Sequence, residues 1–349
     1  MKNLSFIISL FFLLISSNVL CQQPHLEKIK IASGGHLVHF MPFDLAVAKG
    51  FFIDEGLDPE IIFLQGGTAT AQALLANQVD FSLNSIDHAF KAAIQRKDNL
   101  RMVVLLNKLP GMTLVVDSRL RNDIKDISDL KGKSLGVTSK GSATHMVLAS
   151  LLSNANINPA DVTIFDVGSS TFPPALKNQQ IVGGIALEPF ASTLVEQGKA
   201  FILADLNTLR DTERYLGGVY NQAGVLTRQD VIDNRPDLVQ KVVNIHIRAL
   251  SWIREHTPQE ITDALPGKIV GSDKIRYAKT LDKLKEFYSL DGIINPKGVE
   301  NVYHSMMTSG TLANKNTILN REKFFTNYFV EKSQSDSIIK KNISTNNNE

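Results

Sequence analysis

The sequence predicts an α/β protein, because short apolar strands alternate with amphipathic helices along most of the chain. Two segments divide this alternation into two series. A polar, charge-dense stretch over residues 117–129 is expected to cross to a second unit, and residues 217–227 are expected to return to the first. A chain of 349 residues is long enough for two domains. We therefore expect two α/β units connected by two crossings.

The first series begins with a strand over 28–32. A helix follows over 42–52, since its apolar residues repeat along one face and Pro42 suits a first helical turn. The remaining elements are a strand over 60–64, a helix over 68–76, a strand over 79–83, a helix through 93, and strands over 102–106 and 113–116. These elements assign residues 27–117 to the first unit.

The second series occupies residues 118–213. Its predicted elements are a strand over 134–138, a helix over 142–155, a strand over 162–167, a short helix over 173–178, and strands over 181–187 and 201–204. Residues 214–332 return to the first unit, with a long helix opened by Pro236 and further helices over 277–288 and 299–307. The polar tail over 333–349 is predicted to be disordered.

Residues 1–21 have the layout of a secretory signal peptide. Lys2 gives a positive start, an apolar stretch covers 4–20, and polar residues follow from Gln22. No later segment has the run of apolar residues that a membrane span needs. We therefore expect an exported, periplasmic protein. The only cysteine, Cys21, is either removed with the signal or becomes a lipidated N-terminus, and both alternatives stay open.

The composition argues against a broad nucleic-acid surface. The chain has 37 Lys and Arg against 35 Asp and Glu, a formal net charge of +2, and no run of basic residues. Its 43% hydrophobic content is that of an ordinary globular protein. We expect a monomer with no nucleic-acid partner, and this charge balance still permits a local anion pocket.

Seven motifs, in order along residues 27–332, carry a family resemblance. They are PFDLAVAKGFFIDEGLDPE at 42–60, QGGTATAQALL at 65–75, VDFS at 79–82, DLKGKSLGV at 129–137, GSAT at 141–144, GIALEPF at 184–190 and LDGIINPKGV at 290–299. Together they resemble the nitrate/taurine/sulfonate-type substrate-binding proteins of ABC importers, which share the fold of the thiamine-pyrimidine-precursor binders. The resemblance covers nearly the whole chain after the signal peptide.

This resemblance implies a type II periplasmic-binding fold, with two α/β lobes, two crossing segments and a ligand cleft between the lobes. Such proteins close around a small molecule and deliver it to a membrane permease and its ATPase. The expected role is binding, with no catalysis and no cofactor. The alternative is an enzyme on the same fold, dehydratase-like or pyrimidine-synthase-like. The synthase has a cysteine-rich iron site, for which this chain offers no cysteine beyond Cys21.

Three loops at the expected carboxyl ends of strands are candidate ligand contacts. Ligands of open α/β sheets bind at these ends, where glycine permits close approach and helix N-termini offer N–H donors to an anion. The candidates in these loops are Gly34, Gly35, His36, Gly67, Thr68, Ser139, Gly141, Ser142, Ala143 and Thr144. Capping of the helices that follow explains such small residues equally well.

Four further residues complete the candidate site. His36 and His39 form an H-x-x-H pair without further ligands at metal-site spacing, so we expect one of them to line the cleft as a donor and no metal to bind. Ser85 and Asp87 precede a helix, where capping is the alternative. Glu188 ends a strand, where it either accepts a bond from a ligand amine or braces the hinge. The ligand stays open between a sulfonate, a pyrimidine, a carboxylate and other small molecules, with an organic anion preferred.

Overall fold

The structure, a computed structural model, describes residues 26–95, 97, 99–310 and 319–336. The predicted signal peptide, Cys21 and residues 337–349 lie outside the described residues. Within these ranges, the helices are all too short or too polar to cross a membrane.

The first lobe is built on a five-stranded sheet with the strand order β2-β1-β3-β10-β4. Its strands are β1 (Glu27–Ser33), β2 (Leu57–Phe63), β3 (Phe81–Ser85), β4 (Leu100–Leu105) and β10 (Ala223–Arg228). Strands β1, β2 and β3 run parallel. Strand β10 lies antiparallel between β3 and β4, so the returning chain completes the first sheet, as predicted for 217–227.

The second lobe repeats this arrangement in a sheet with the order β7-β6-β8-β5-β9. Its strands are β5 (Met112–Asp117), β6 (Ser134–Val137), β7 (Thr163–Asp166), β8 (Gly183–Leu187) and β9 (Ala200–Asp205). Strand β6 is parallel to β7 and β8, and β5 lies antiparallel between β8 and β9. Each sheet therefore contains one antiparallel strand, which directly follows a crossing.

The predicted boundary at residue 117 is wrong, because β5 belongs to the second sheet. Met112 pairs with Leu187 and Thr113 with Asp205. The chain crosses at 106–111 and returns at 217–222, and these segments are hydrogen-bonded side by side through Tyr220 N to Lys108 O at 2.9 Å. Residues 117–129 form part of the second lobe. The error arose because an apolar strand has the same sequence pattern in either sheet.

Fifteen helices are present in the described residues. Around the first sheet lie α1 (Met41–Ala48), α2 (Phe51–Asp54), α3 (Gly66–Leu75), α4 (Asp87–Ile94), α9 (Gln229–Asn234), α10 (Pro236–Glu255), α11 (Pro258–Ala264), α12 (Gly267–Val270), α13 (Lys274–Lys283), α14 (Pro296–Thr308) and α15 (328–336). The second lobe carries α5 (Ala143–Asn154), α6 (Phe172–Lys177), α7 (Phe190–Glu196) and α8 (Leu209–Leu216).

Several predicted elements have other bounds in the structure; the helix predicted over 277–288, for example, is α13 (Lys274–Lys283). Two of the differences have a clear physical cause. The single helix over 42–52 is divided into α1 and α2, because Gly50 adopts a left-handed φ of 74° that ends a helix. The tail predicted to be disordered from 333 is helical through 336. Phe329 and Val330 of α15 are buried in the first-lobe core, and this packing extends the helix into the polar sequence.

Helix α14 connects the lobes. It packs against α4 of the first lobe, where Tyr303 meets Phe90 edge-on at 5.6 Å between ring centroids, and also against α5 of the second lobe. One buried apolar cluster accordingly contains residues of both lobes, among them Val302, Leu148 and Leu135. The lobes are thus held together by this shared core as well as by the two crossing segments.

Candidate ligand-binding cleft

A cavity of about 520 Å³ lies between the lobes. Its wall is formed mainly by loops at the carboxyl ends of strands from both sheets, where α/β folds bind ligands. The lining residues are Gly34, His36, Leu37, His39, Phe40, Gln65, Gly66, Gly67, Leu83, Asn84, Ser85, His88, Met112, Thr138, Ser139, Ser142, Ala143, Thr144, Gly168, Ser169, Ser170, Thr171, Leu187, Phe190, Gln222 and Ala223.

The first-lobe wall is closely packed around Gly67 at the start of α3. A Cβ atom on Gly67 would lie 2.6 Å from His88 Nε2 and 2.8 Å from Asn84 Oδ1. The Asn84 amide donates to the Gly67 carbonyl at 2.8 Å and to the Thr70 hydroxyl at 2.9 Å. Only glycine fits this contact, so the backbone of the loop reaches the cavity while its neighbours hold it in place.

The second-lobe wall presents a network of three hydroxyl groups. Thr138 Oγ1 lies 3.1 Å from Ser142 Oγ and 2.8 Å from Thr144 Oγ1, and the last two are 2.8 Å apart. Ser142 also caps α5 by accepting from the His145 N–H at 3.4 Å. The capping explanation therefore holds for Ser142, while the same side chain also lines the cavity.

Three histidines line the cavity and each has a different setting. Burial lowers the pKa of His39 to about 4, against the opposing effect of its bond to the Pro110 carbonyl at 3.0 Å. Burial also lowers the pKa of His88 to about 4, with the charge of Asp87 raising it and that of Lys91 lowering it. His36 Nδ1 lies 2.8 Å from Asp44 Oδ1. His39 and His88 are therefore neutral at pH 7.

The cavity wall lacks formal charge. Among the described residues that line it, none is Asp, Glu, Lys or Arg. The polar groups are hydroxyls, amides, imidazoles and backbone, and the apolar ones include Leu37, Phe40, Met112, Leu187 and Phe190. Such a wall recognises a ligand by hydrogen bonds and apolar contact instead of by ion pairs.

Nine of the fourteen candidate residues lie on the cavity wall. They are Gly34, His36, His39, Gly67, Ser85, Ser139, Ser142, Ala143 and Thr144. The structure places Gly35, Thr68, Asp87, Gly141 and Glu188 away from it. Thr68 is exposed on the first turn of α3, which shows that a loop can border the cleft while one of its side chains points elsewhere.

Asp87 and Gly141 take part in a contact between the lobes. Lys91 on α4 donates to Asp87 Oδ2 at 2.5 Å and to the Gly141 carbonyl of the second lobe at 2.6 Å. Burial opposes ionisation of Asp87, but the charge of Lys91, the charge that His88 carries when protonated and the Lys91 hydrogen bond outweigh it and lower the pKa of Asp87. Lys91 thus joins the two sides of the cleft beside the cavity.

Glu188 stabilises α7. Its carboxylate accepts from Ser192 N at 3.1 Å and from Ser192 Oγ at 3.0 Å. Burial raises the pKa of Glu188, and the two bonds from Ser192 oppose this effect. The neighbouring Leu187 and Phe190 do line the cavity, so Glu188 fixes the helix that presents them.

The sequence did not predict the aromatic and amide side chains of the cavity wall, nor the wall residues that come from the second crossing segment. Phe40 and Phe190 are apolar residues that a sequence assigns to the core, and Asn84 and His88 required knowledge of side-chain direction. The loop 168–171 could have been predicted from the sequence. Its Gly-Ser-Ser-Thr run between β7 and α6 has the same small, polar composition as the three loops that the sequence predicts as ligand contacts. Gln222 reaches the cavity from the second crossing segment.

His36 and His39 do not converge on one point as metal ligands would. The first pairs with Asp44 and the second with the Pro110 carbonyl. Across the described part of the chain, no three His, Cys, Asp or Glu side chains form a group that could hold a metal ion.

Comparison with known proteins gives the family. A family model described as NMT1/THI5 like matches residues 38–261. The chain belongs to this family. The NMT1/THI5-like region contains most of the cavity wall, from His39 to Ala223.

Relatives of this NMT1/THI5-like chain match it over most of its length. YtlA of Bacillus subtilis (strain 168), named as a candidate binding protein, is 26% identical over 321 residues, which are 89% of this chain and 93% of YtlA. A solved structure from Bordetella bronchiseptica RB50 is 27% identical with a TM-score of 0.81, covering 90% of this chain and 99% of that one. The structure of the ligand-binding component of an ABC-type import system from Staphylococcus aureus has a TM-score of 0.68 at 14% identity. The match covers 88% of this chain and 99% of that one. The expected periplasmic-binding fold is thereby confirmed.

One enzyme shares part of the sequence. The 4-amino-5-hydroxymethyl-2-methylpyrimidine phosphate synthase of Schizosaccharomyces pombe is 27% identical over 150 residues, which are 43% of this chain and 42% of the synthase. The likeness to binding proteins extends over about twice that share of the chain.

Proposed function

We propose that this protein is the extracytoplasmic solute-binding protein of an ABC importer, which closes its lobes on a small organic molecule and delivers it to a permease. The observation that carries the proposal is a cavity of about 520 Å³ that is lined by residues of both lobes. The likeness in fold to the ligand-binding component of an ABC-type import system, over 88% of this chain, supports it. We further propose that the protein acts as a monomer and is either free in the periplasm or anchored through Cys21.

The charge of the cavity favours an uncharged ligand over the organic anion that the sequence suggested. Two helices that begin at the cleft have a side-chain acceptor for an N–H of their first turn, from Ser142 before α5 and Glu188 before α7. Helices α3 and α4 have no side-chain cap, but α4 carries the carboxylate of Asp87 in its first turn, which disfavours an anion there. The first N–H groups of α3 are therefore available to a ligand carbonyl.

A binding role, without catalysis, agrees with this cavity. The pyrimidine synthase matches less than half of the chain, and the iron site of such synthases needs cysteines, whereas Cys21 in the predicted signal segment is the only cysteine here. The titratable side chains that line the cavity are the three histidines, of which His39 and His88 have lowered pKa values.

A thermal-shift screen of protein stripped of ligand by partial unfolding tests the proposal. The compounds are matched uncharged and anionic molecules, including amides, pyrimidines, sulfonates, carboxylates and nitrate. A compound at 100 times its Kd stabilises the protein by about 2.7 kcal/mol, which is a clear shift. We expect uncharged ring compounds to give the saturable shifts, and saturable shifts from anions alone would refute the ligand class.

Two variants connect a shift to the cavity. Ala143→Phe places a ring in the cavity and should abolish the shift, since Ala143 lines the wall. Thr68→Leu is the matched control, because Thr68 lies at the neighbouring helix start but outside the wall. Equal loss in both variants would contradict the assigned site. Consumption of the hit compound during incubation would show an enzyme instead.

A further inference from the structure

Asp44 on α1 is a buried carboxylate whose hydrogen bonding is incomplete. It is 5% exposed, and Oδ1 lies 2.8 Å from His36 Nδ1. Oδ2 is buried and has no hydrogen-bond partner among the described residues. A buried acceptor without a partner destabilises the fold. Asp44 therefore does not favour the stability of the fold, and its role is expected to lie in its hydrogen bond with His36.

That group, His36, belongs to the cavity wall. Its side chain is 27% exposed, it lines the cavity, and its ring meets Phe63 edge-on at 4.7 Å between centroids. No hydrogen bond joins Nε2 to any part of the chain that the structure describes. The imidazole is held at Nδ1 and has its other nitrogen available for an outside partner.

The groups around Asp44 come from several elements. Burial raises the pKa of Asp44 to about 6, and this is opposed by the charge that His36 carries when protonated, by the His36 hydrogen bond and by the charge of Lys268 on α12. Tyr277 and Tyr288 lie within range of its charge, which adds to burial in raising the pKa values of their hydroxyls. At pH 7.5 Asp44 is therefore mostly ionised and accepts the Nδ1–H hydrogen.

We propose that Asp44 is a positioning residue for ligand recognition, holding His36 so that Nε2 accepts a hydrogen bond from an N–H or O–H group of the ligand. This inference rests on the proposed function and adds one feature to the ligand. A carboxylate bound to Nδ1–H fixes the tautomer of a neutral imidazole and leaves the lone pair on Nε2. The uncapped start of α3 supplies donors, so the ligand carries an acceptor for α3 and a donor for His36.

The tautomer of His36 can be measured without any ligand. In protein labelled with ¹⁵N-histidine, long-range ¹H–¹⁵N spectra distinguish protonated from unprotonated ring nitrogens, and His36→Gln assigns the signal. At pH 7.5 we expect a protonated Nδ1 and an unprotonated Nε2. The opposite tautomer in the native protein would overturn the proposal, whatever the protein binds.

Substitutions at Asp44 and at a distant acid distinguish the positioning of His36 from a general effect of losing a negative charge. Asp44→Leu removes the acceptor and should produce a mixture of both His36 tautomers. Asp54→Asn is the matched control, because Asp54 on α2 is an exposed acid paired with Arg248 and lies outside the cavity wall. An unchanged His36 tautomer in Asp44→Leu would show that Asp44 does not position the ring.

Indole and 1-methylindole probe the acceptor role, since the two uncharged rings differ by a single N–H donor. Indole should shift the His36 Nε2 resonance and bind at least about fivefold more tightly than 1-methylindole, in keeping with the loss of one neutral hydrogen bond. Equal affinities would overturn the acceptor role of Nε2. If neither ring shifts any resonance of the cavity wall, the uncharged ligand class of the proposed function is wrong, and the tautomer measurement still decides the role of Asp44.

Discussion

Two residues at this cleft are tightly constrained in different ways. Gly67 occupies a gap between His88 and Asn84 that leaves no room for a side chain, so glycine is required there for packing. Asp44 keeps a carboxylate in the interior with one oxygen unpaired, which violates the ordinary rule for buried polar groups. Such violations concentrate at functional sites, because binding geometry is retained there against the stability of the fold.

Gly67→Ala tests the packing of the α3 start. The added Cβ would lie 2.6 Å from His88 Nε2 and 2.8 Å from Asn84 Oδ1, so the side chains or the helix must move. We expect a loss of about 1–3 kcal/mol in urea unfolding and weaker binding of any screened ligand. Gly267→Ala is the control, since a Cβ there meets nothing within 4 Å. A Gly67→Ala protein as stable as that control would contradict the packing.

Asp44→Asn tests the buried charge through its pH dependence. The folded protein binds the Asp44 proton more tightly than the unfolded chain does. Ionised Asp44 therefore lowers the free energy of unfolding, and this penalty disappears as the pH falls from about 6 to 3.8. The difference between 3.8 and about 6 corresponds to about 3 kcal/mol. Asparagine should therefore stabilise the protein by up to about 3 kcal/mol at pH 7.5 and by little near pH 4.

Paired urea titrations at the two pH values measure this effect, with Asp54→Asn as the exposed control. A stabilisation by Asp44→Asn that is the same at both pH values would show that the charge of Asp44 is not its cause.

At the scale of elements, the helices around the cleft differ in how their first turns are satisfied. Helices α5 and α7 begin with the side-chain acceptors Ser142 and Glu188, whereas α3 begins with two glycines and no cap. A helix start without a cap has N–H groups that water or a ligand must satisfy. Helix α3 is thus an element through which the backbone can bind a solute.

Ser142→Ala removes a helix cap that also lines the cavity. We expect a loss of about 1 kcal/mol in stability, as for other N-cap substitutions, together with weaker ligand binding. Thr257→Ala is a matched control, because Thr257 caps α11 through the Glu260 N–H at 3.3 Å, away from the cavity. Calorimetric titration and thermal unfolding of both variants separate the two effects. Loss of binding in Thr257→Ala as well would assign the effect to stability alone.

Across the whole molecule, the lobes are joined on both sides of the cleft. Lys91 reaches the Gly141 carbonyl beside the cavity, and Lys283 on α13 lies 3.3 Å from Glu196 on α7. The first contact is largely buried and the second is exposed. Exposed pairs contribute little and are screened by salt, so the Lys91 contact is the stronger link between the lobes.

The double variant Asp87→Asn/Lys91→Met removes this contact without leaving an unpaired buried charge. A hydrogen bond from a charged donor is worth about 1.5–3 kcal/mol, so we expect ligand affinity to fall about tenfold or more although neither side chain touches the cavity. Small-angle scattering should show a larger radius of gyration for the ligand-free variant. Lys140→Met, a neighbouring lysine outside the wall, is the control. Unchanged scattering and affinity would exclude a closing role.

The sequence predicted most strands and the order of the lobes, because apolar periodicity reports burial locally. It misplaced β5, since Met112–Asp117 is apolar on both faces and fits a central strand of either sheet. The turn residues Pro110 and Gly111 mark the true crossing, but the charged segment that follows β5 has a composition more typical of a linker.

The candidate site was predictable as a set of loops but not as a set of side chains. The strand ends indicated Gly34, Gly67 and Ser142, which all line the cavity. Contacts such as Lys91 with Gly141 join residues 50 positions apart in the sequence. No local pattern reveals them, and for that reason the sequence predicts Asp87 as a ligand contact and gives no sign of the role of Asp44.

The way the chain enters β10 has a consequence for the order in which the protein can fold. All five strands of the second sheet lie within 112–205, a single continuous stretch. In the first sheet, β4 pairs only with β10 (Ala223–Arg228), so β4 cannot join this sheet until β10 is present. As the chain emerges from the ribosome or crosses a membrane N-terminus first, the lobe that begins first is therefore completed last. A chain that stops before β10 would hold a complete second sheet beside an unfinished first one.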